Sequence, residues 1–371
     1  MDDYKKSLLA NDGITCDENY IWYLANEFSA VIQIERITGN ATVLFVVKEY
    51  LEVFAFRSIV KYKNSLFLFP FKGSQYVEYD INAEKYSIKQ IPDELWQKNW
   101  CAQYFQDNSD LFFYFQAPCI VKYDCEQDEW TIYDKWNSEI DEEIRSSDEL
   151  KHWFGYGSYK YGNNYYFQLN HDNRIACLNT SFGGIRTIEM PPSYKESYLE
   201  TLSGSNDGIW AMLHCGRGDS RLLFINEDLK DFKEICVLPN DGVDVAYSQI
   251  VLGRKYLWIL PAAYDRGWKV LKDGSSIEEL KDISIVDKSN LKPIWGRDLN
   301  YGIGRIVGDT YINMNTRAGR IVEIDIVQDK CHEYDIKPIE AYRIWKLADR
   351  EVFFENPYYN LTDFLYHDCD I

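Results

Sequence analysis

The chain has 371 residues, 46% of them hydrophobic and 27% charged, and a formal net charge of -19 from 40 Lys and Arg against 59 Asp and Glu. An aromatic content of 16% excludes a disordered chain, which lacks such residues, and favours strands, on whose pleated faces flat rings pack. The acidity and the lack of any basic run argue against nonspecific nucleic-acid binding and against an anionic membrane surface, since both draw on clustered Lys and Arg.

The N-terminal stretch MDDYKKSLLANDGITCDE has no apolar core of signal-peptide length. No stretch approaches the ~18 apolar residues of a membrane span. Nine scattered cysteines, with no CxxC pair and no Cys/His zinc spacing, read as free thiols in a cytoplasmic protein.

Along the chain a short apolar-aromatic triplet recurs. It stands at Tyr20-Ile21-Trp22, Leu66-Phe67-Leu68, Leu111-Phe112-Phe113, Tyr165-Tyr166-Phe167, Ile209-Trp210-Ala211, Leu257-Trp258-Ile259, Tyr311-Ile312-Asn313 and Val352-Phe353-Phe354. Polar turn signals such as KNS, GNN, NDG and GDT precede most copies, as in a tight hairpin entering a strand. Twelve to 16 residues after the start of each triplet comes an apolar-acidic or apolar-amide step: Ile34-Glu35, Tyr79-Asp80, Tyr123-Asp124, Leu178-Asn179, Ile225-Asn226 and Ile324-Asp325, with looser counterparts at Leu271-Lys272 and Tyr366-His367. An Asp or Asn at a strand end hydrogen-bonds the backbone of the next turn. Six residues further stand Tyr86, Trp130, Ile185, Phe232 and Cys331, opening another strand. About ten residues before the triplets, Phe56, Phe154, Tyr198, Tyr247, Tyr301 and Tyr342 open an alternating segment that reads as the first strand of the unit.

The unit is thus four short antiparallel strands, and successive triplets start 46, 45, 54, 44, 48, 54 and 41 residues apart. A small twisted sheet cannot cover both of its faces, whereas sheet packed on sheet around an axis covers them. The repeat resembles the β-propeller superfamily, in the broad neighbourhood of kelch and WD-type repeats. The Gly183-Gly184 doublet falls late in its unit for a kelch repeat, and the WD signatures are absent, so no named family follows and no functional residues carry over. The expectation is an all-β single domain, 1–371, of about eight four-stranded blades, with seven the alternative. The units run 8–47, 56–92, 101–136, 154–191, 198–239, 247–285, 301–339 and 342–371, and the N-terminal strand YKKSLLA completes the last blade. The abundance of Lys, Asn, Ile and Tyr is reminiscent of AT-rich bacterial proteins.

Binding on such a scaffold falls to the loops. The two 54-residue intervals hold the long connections, which carry Lys151, His152 and Trp153 in one case and Trp295 and Arg297 in the other. A shorter connection carries Trp96 and Trp100, and Tyr342-Arg343 opens the last unit. An aromatic beside a cation suits a concave site, where the ring stacks and Arg forks onto a carboxylate or phosphate. No metal-ligand spacing, GxSxG or P-loop is present, and His152 is the one weak candidate for acid-base chemistry. Asp141-Glu142-Glu143 reads as a solvated charge run, and glycines Gly302 and Gly304 as relief of crowding. The sequence therefore points to a scaffold presenting a protein-, peptide- or glycan-binding face, with no cofactor, no metal, no nucleic acid and no membrane. The alternative is a propeller enzyme acting on a carbohydrate or small polar metabolite at the channel mouth.

Overall fold

A computed structural model describes residues 11–25, 29–50, 55–70, 73–96, 103–114, 119–136, 154–169, 173–216, 218–226, 231–243, 246–262, 264–281, 283, 301, 304–315 and 320–336. Seven sheets are found among them. The first is β1 (Asn11–Cys16), β2 (Tyr20–Ala25), β3 (Ala30–Glu35) and β4 (Ala41–Val46), and the second is β5 (Phe56–Tyr62), β6 (Ser65–Pro70), β7 (Gln75–Asp80) and β8 (Lys85–Gln90). A helical turn, α1 (Asp93–Trp96), precedes the third sheet: β9 (Gln103–Asp107), β10 (Asp110–Tyr114), β11 (Ile120–Asp124) and β12 (Glu129–Tyr133). The fourth holds β13 (Lys135–Trp136), β14 (Phe154–Tyr161), β15 (Asn164–Leu169), β16 (Arg174–Asn179) and β17 (Gly184–Glu189). The fifth is β18 (Tyr198–Ser205), β19 (Gly208–His214), β20 (Asp219–Asn226) and β21 (Phe232–Pro239), and the sixth β22 (Tyr247–Leu252), β23 (Tyr256–Pro261), β24 (Trp268–Leu271) and β25 (Ile277–Glu279). The seventh is β26 (Arg305–Val307), β27 (Thr310–Asn315), β28 (Arg320–Asp325) and β29 (Lys330–Asp335).

Each sheet is an antiparallel meander in chain order, the small parallel addition of β13 to the β17 edge excepted. The turns explain the recurring spacings. Asp80, Asp124 and Asn179 each end a third strand and accept two backbone N–H bonds from the turn through one side-chain oxygen. Four residues on, Glu84, Asp128, Gly183 and Asp329 all hold a positive φ that turns the chain back. The register then pairs Tyr79 with Tyr86, Tyr123 with Trp130, Leu178 with Ile185 and Ile324 with Cys331.

The two middle strands are buried almost throughout, as in β6 and β15, while fourth strands such as β8 and β29 alternate between exposed and half-buried positions. Middle strands buried on both faces need cover from neighbouring sheets, and the apolar clusters lie between sheets for that reason. The chain divides into two compact units, one holding the first, second and seventh sheets and the other the third to sixth. In the former, Ile32 and Ile34 pack with Ile312 and Ile321, and Trp22 and Leu24 with Leu66 and Leu68. In the latter, Phe112 packs with Phe167, Cys177 with Leu213 and Leu222 with Ile259. Fully burying such a side chain is worth about 1.5–3 kcal/mol.

This is a β-propeller of four-stranded blades, with seven blades among the described residues. Seven is the alternative count rather than the eight first expected. The eighth unit, 342–371, and the YKKSLLA strand lie outside the described residues. The seventh sheet packs directly on the first, where Arg36 Nε donates to Glu323 Oε1 at 2.9 Å and the Tyr334 hydroxyl donates to the same oxygen. Tyr301 is fully buried but precedes β26 rather than opening it. The seven described cysteines are all free.

Close strand approaches leave no room for a side chain at several glycines. A Cβ on Gly157 in β14 would stand 2.3 Å from the Leu202 backbone nitrogen in β18. A Cβ on Gly304 would stand 2.4 Å from the Tyr311 ring. Gly162, by contrast, turns a hairpin at φ +57 with nothing within 4 Å. Gly157→Ala is expected to lower the unfolding free energy by about 1–3 kcal/mol through overpacking. Gly162→Asn, in a region Asn tolerates, should change it by less than about 1 kcal/mol, and denaturant titration of both variants measures the contrast.

Burial also lifts the core thiols, Cys16 from its ordinary 9.0 up to about 12 and Cys236 up to about 11. Because the folded values lie above the unfolded ones, this contribution to stability is whole below pH 9.0 and is lost as pH rises through about 11 and 12. Unfolding free energy measured at rising pH should decline from about pH 9 upward, and Cys16→Val, which cannot ionise, should flatten the decline.

Candidate functional site

The residues singled out in the sequence, Trp100, Lys151, His152, Trp153, Trp295, Arg297, Tyr342 and Arg343, all lie outside the described residues. So do Asp141-Glu142-Glu143, His171 and His367. Most of them fall in chain intervals that lead from the fourth strand of one sheet to the first strand of the next. The sheet end that those intervals adjoin holds the start of the first and third strands and the close of the second and fourth.

At that end of the fifth sheet lies a cluster the sequence did not announce. The ladder between β18 and β19 shifts register between Leu199 and Thr201, which leaves Glu200 as the extra residue of a bulge. Bulges re-aim a side chain, and this carboxylate is 2% exposed. Its Oε1 accepts the Ala246 N–H at 2.8 Å, and its Oε2 accepts the Ser220 hydroxyl at 2.9 Å. Asn240, which follows β21 and is fully buried, takes the Gly242 N–H on Oδ1 at 2.9 Å. That bond fixes the orientation of the amide. Its Nδ2 therefore faces outward to two acceptors, Ser220 Oγ and His214 Nδ1, each at 3.0 Å. His214 closes β19 and its ring stacks on Tyr198 at 4.7 Å.

The donor and acceptor count closes. Asn240 uses both N–H groups and its oxygen, Ser220 donates once and accepts once, and each Glu200 oxygen is occupied. His214 Nδ1 accepts from Asn240, so it carries no proton and the ring proton sits on Nε2. The 3.4 Å approach of Nδ1 to Glu200 Oε1 is then a contact and not a hydrogen bond. Serine, histidine and carboxylate stand together here, yet the order is wrong for nucleophilic catalysis. Ser220 gives its proton to Glu200 and not to His214, and its side chain is wholly buried.

The same sheet end continues into the sixth sheet. The buried Tyr247 hydroxyl donates to the Pro239 carbonyl and accepts the Trp268 indole N–H at 2.9 Å, and burial holds this phenol well above its ordinary range. Tyr264 donates to Asp241 Oδ2 at 3.0 Å, and burial, with that bond second, pushes it up to about 12. The Arg266 guanidinium lies 5.8 Å from the centre of the Tyr264 ring. Bulges at the same place in β5 and β22 make Arg57 and Ser248 the counterparts of Glu200, and both are buried. His332, on the exposed face of β29, stacks on Tyr334 at 5.8 Å. Among the described residues no group of three or more His, Cys, Asp or Glu is placed to hold a metal.

No family model and no curated protein matches the chain. Solved structures do. A catalytically inactive virginiamycin B lyase from Staphylococcus aureus, with quinupristin, aligns at a TM-score of 0.58 and 14% identity over 85% of this chain and 94% of its own. The likeness is one of fold. YCF48 from Cyanidioschyzon merolae aligns at 0.56 and 10% identity over 89% and 96%. BamB from Moraxella catarrhalis aligns at 0.51 and 11% identity over 85% of both chains.

Asn240→Ala would leave the Gly242 N–H, Ser220 Oγ and His214 Nδ1 short of a partner at once. A buried unsatisfied polar group costs about 1–3 kcal/mol; water can replace the bond to the exposed Gly242, so this variant should lose about 2 kcal/mol in denaturant unfolding. A loss within experimental error would mean that the network does not hold in solution.

Proposed function

We propose that the protein is a binding scaffold that presents a peptide- or protein-binding face at the sheet end described above. The carrying observation is the closed Glu200–Asn240–Ser220–His214 network. It ties the close of β19 and β21 to the start of β18, β20 and β22 and occupies the Ser220 hydroxyl, both Glu200 oxygens and His214 Nδ1 internally. That suits a rigid platform for loops rather than a hydrolytic centre. The chain intervals that lead from one sheet's fourth strand to the next sheet's first carry Trp100, Trp153, Trp295 and Arg297, residue types that dominate binding hot spots. Proteins of the same fold give this reading company: one solved structure is described as YCF48 bound to D1 peptide, with a TM-score of 0.55 and 9% identity over 83% of this chain and 88% of that one. The lyase above keeps the enzyme alternative in view, but such an enzyme would need an acid or base free to meet substrate.

Selection of a random peptide library on the purified full-length protein tests the proposal. Enriched peptides should lose about tenfold or more in affinity, ~1.4 kcal/mol, against Trp153→Ala or Trp295→Ala. No enrichment over an unrelated propeller, or affinities untouched by both substitutions, would overturn it.

A further inference from the structure

The His214 ring has one nitrogen engaged and one turned away. Nδ1 is held by Asn240, whose orientation the Gly242 N–H dictates. No hydrogen bond to Nε2 exists among the described residues, and Nε2 is not among the buried polar atoms that lack a partner. With the His214 side chain 5% exposed, solvent is the partner that remains. The relay from Gly242 through Asn240 therefore presents a single neutral N–H at the sheet end, beside the Tyr198 ring.

We infer that His214 Nε2–H is a hydrogen-bond donor for a neutral carbonyl oxygen of the ligand, the amide carbonyl of a peptide. This rests on the peptide-binding reading above and names one subsite within it. The choice of a neutral acceptor follows from charge. The buried Glu200 carboxylate lies 3.4 Å behind Nδ1. A carboxylate or phosphate approaching Nε2 would face that buried charge, and repulsion from a buried carboxylate is poorly screened. An amide carbonyl meets the same donor without that penalty. The Tyr198 ring stacked on the imidazole limits its rotation and offers an apolar flank for the groups beside the carbonyl.

The test uses full-length protein labelled with 15N-histidine, with the His214 resonances assigned by their loss in His214→Gln. The tautomer should be Nε2-protonated with a bare Nδ1, and the opposite tautomer would overturn the inference. N-methylacetamide and acetate then serve as probes. The Nε2–H resonance should move with N-methylacetamide and stay with acetate. Movement with acetate alone, or with neither, would sink it. Asn240→Asp replaces the donor to Nδ1 by an acceptor, and the amide response should vanish there. A peptide selected as above should bind His214→Gln about 3- to 10-fold more weakly, the effect of one hydrogen bond. If peptides bind the wild type and His214→Gln alike, the subsite falls while the scaffold stands. If no peptide is selected yet N-methylacetamide still moves the resonance, the subsite stands and the scaffold reading falls.

Discussion

A strand buried on both faces cannot be covered by its own sheet, and the rest of this structure depends on that. β6 reads Ser-Leu-Phe-Leu-Phe-Pro, with five of its six residues buried, so side chains pointing to either side need an apolar neighbour. Leu66 and Leu68 meet the first sheet through Trp22 and Leu24. The alternative to such stacking would be a sheet with an aromatic face in water. Stacking also explains the glycines, because first strands that approach as closely as β14 and β18 leave no room for a Cβ at Gly157. A carboxylate that the bulge in β18 turns inward needs partners within the protein, and Glu200 finds two.

Much of the fold was legible because its turns are governed by local chemistry. The step from Tyr79 to Asp80 ends a strand, the Asp80 carboxylate gathers the turn, Glu84 reverses it and Tyr86 comes back opposite Tyr79. Those events span a handful of residues, so spacing alone reveals them, and they recur at Tyr123-Asp124 and Ile324-Asp325. The blade count was less legible. A repeat pattern reports what each unit resembles but not which unit lies against which. The packing of the seventh sheet on the first is carried by contacts such as Arg36 with Glu323, 287 residues apart. Tyr301 matched the spacing of a strand opener and is instead a buried residue ahead of a three-residue strand.

The site was much less legible, for a reason opposite to the one that made the turns readable. His214 stands where other second strands close on Ala25, Pro70, Tyr114, Leu169, Pro261 or Asn315, so it is the histidine among residues of several kinds. Its hydrogen-bond partner Asn240 comes from 26 residues away, and the bond that completes the Glu200 carboxylate comes from 46. No motif of fixed spacing encodes that arrangement. Motif reasoning drew attention to histidine in a long loop, His152, because loops carry function. Here the histidine with a defined chemical state lies at a strand end, where the ladder and the amide of Asn240 can fix it.

The tautomer matters because a histidine free to exchange protons between its nitrogens offers a ligand either a donor or an acceptor, and so discriminates little. One backbone N–H, that of Gly242, removes this freedom by choosing the face that Asn240 turns to the ring. Reversing the amide would set its N–H groups against the Gly242 N–H and its oxygen against the Ser220 and His214 acceptors, losing three bonds together. The cost of that reversal, several kcal/mol for buried groups, exceeds what one hydrogen bond from a ligand can return. On the proposed binding reading, a ligand would therefore have to fit the donor it meets, because a rigid donor of fixed sense does not adapt to it.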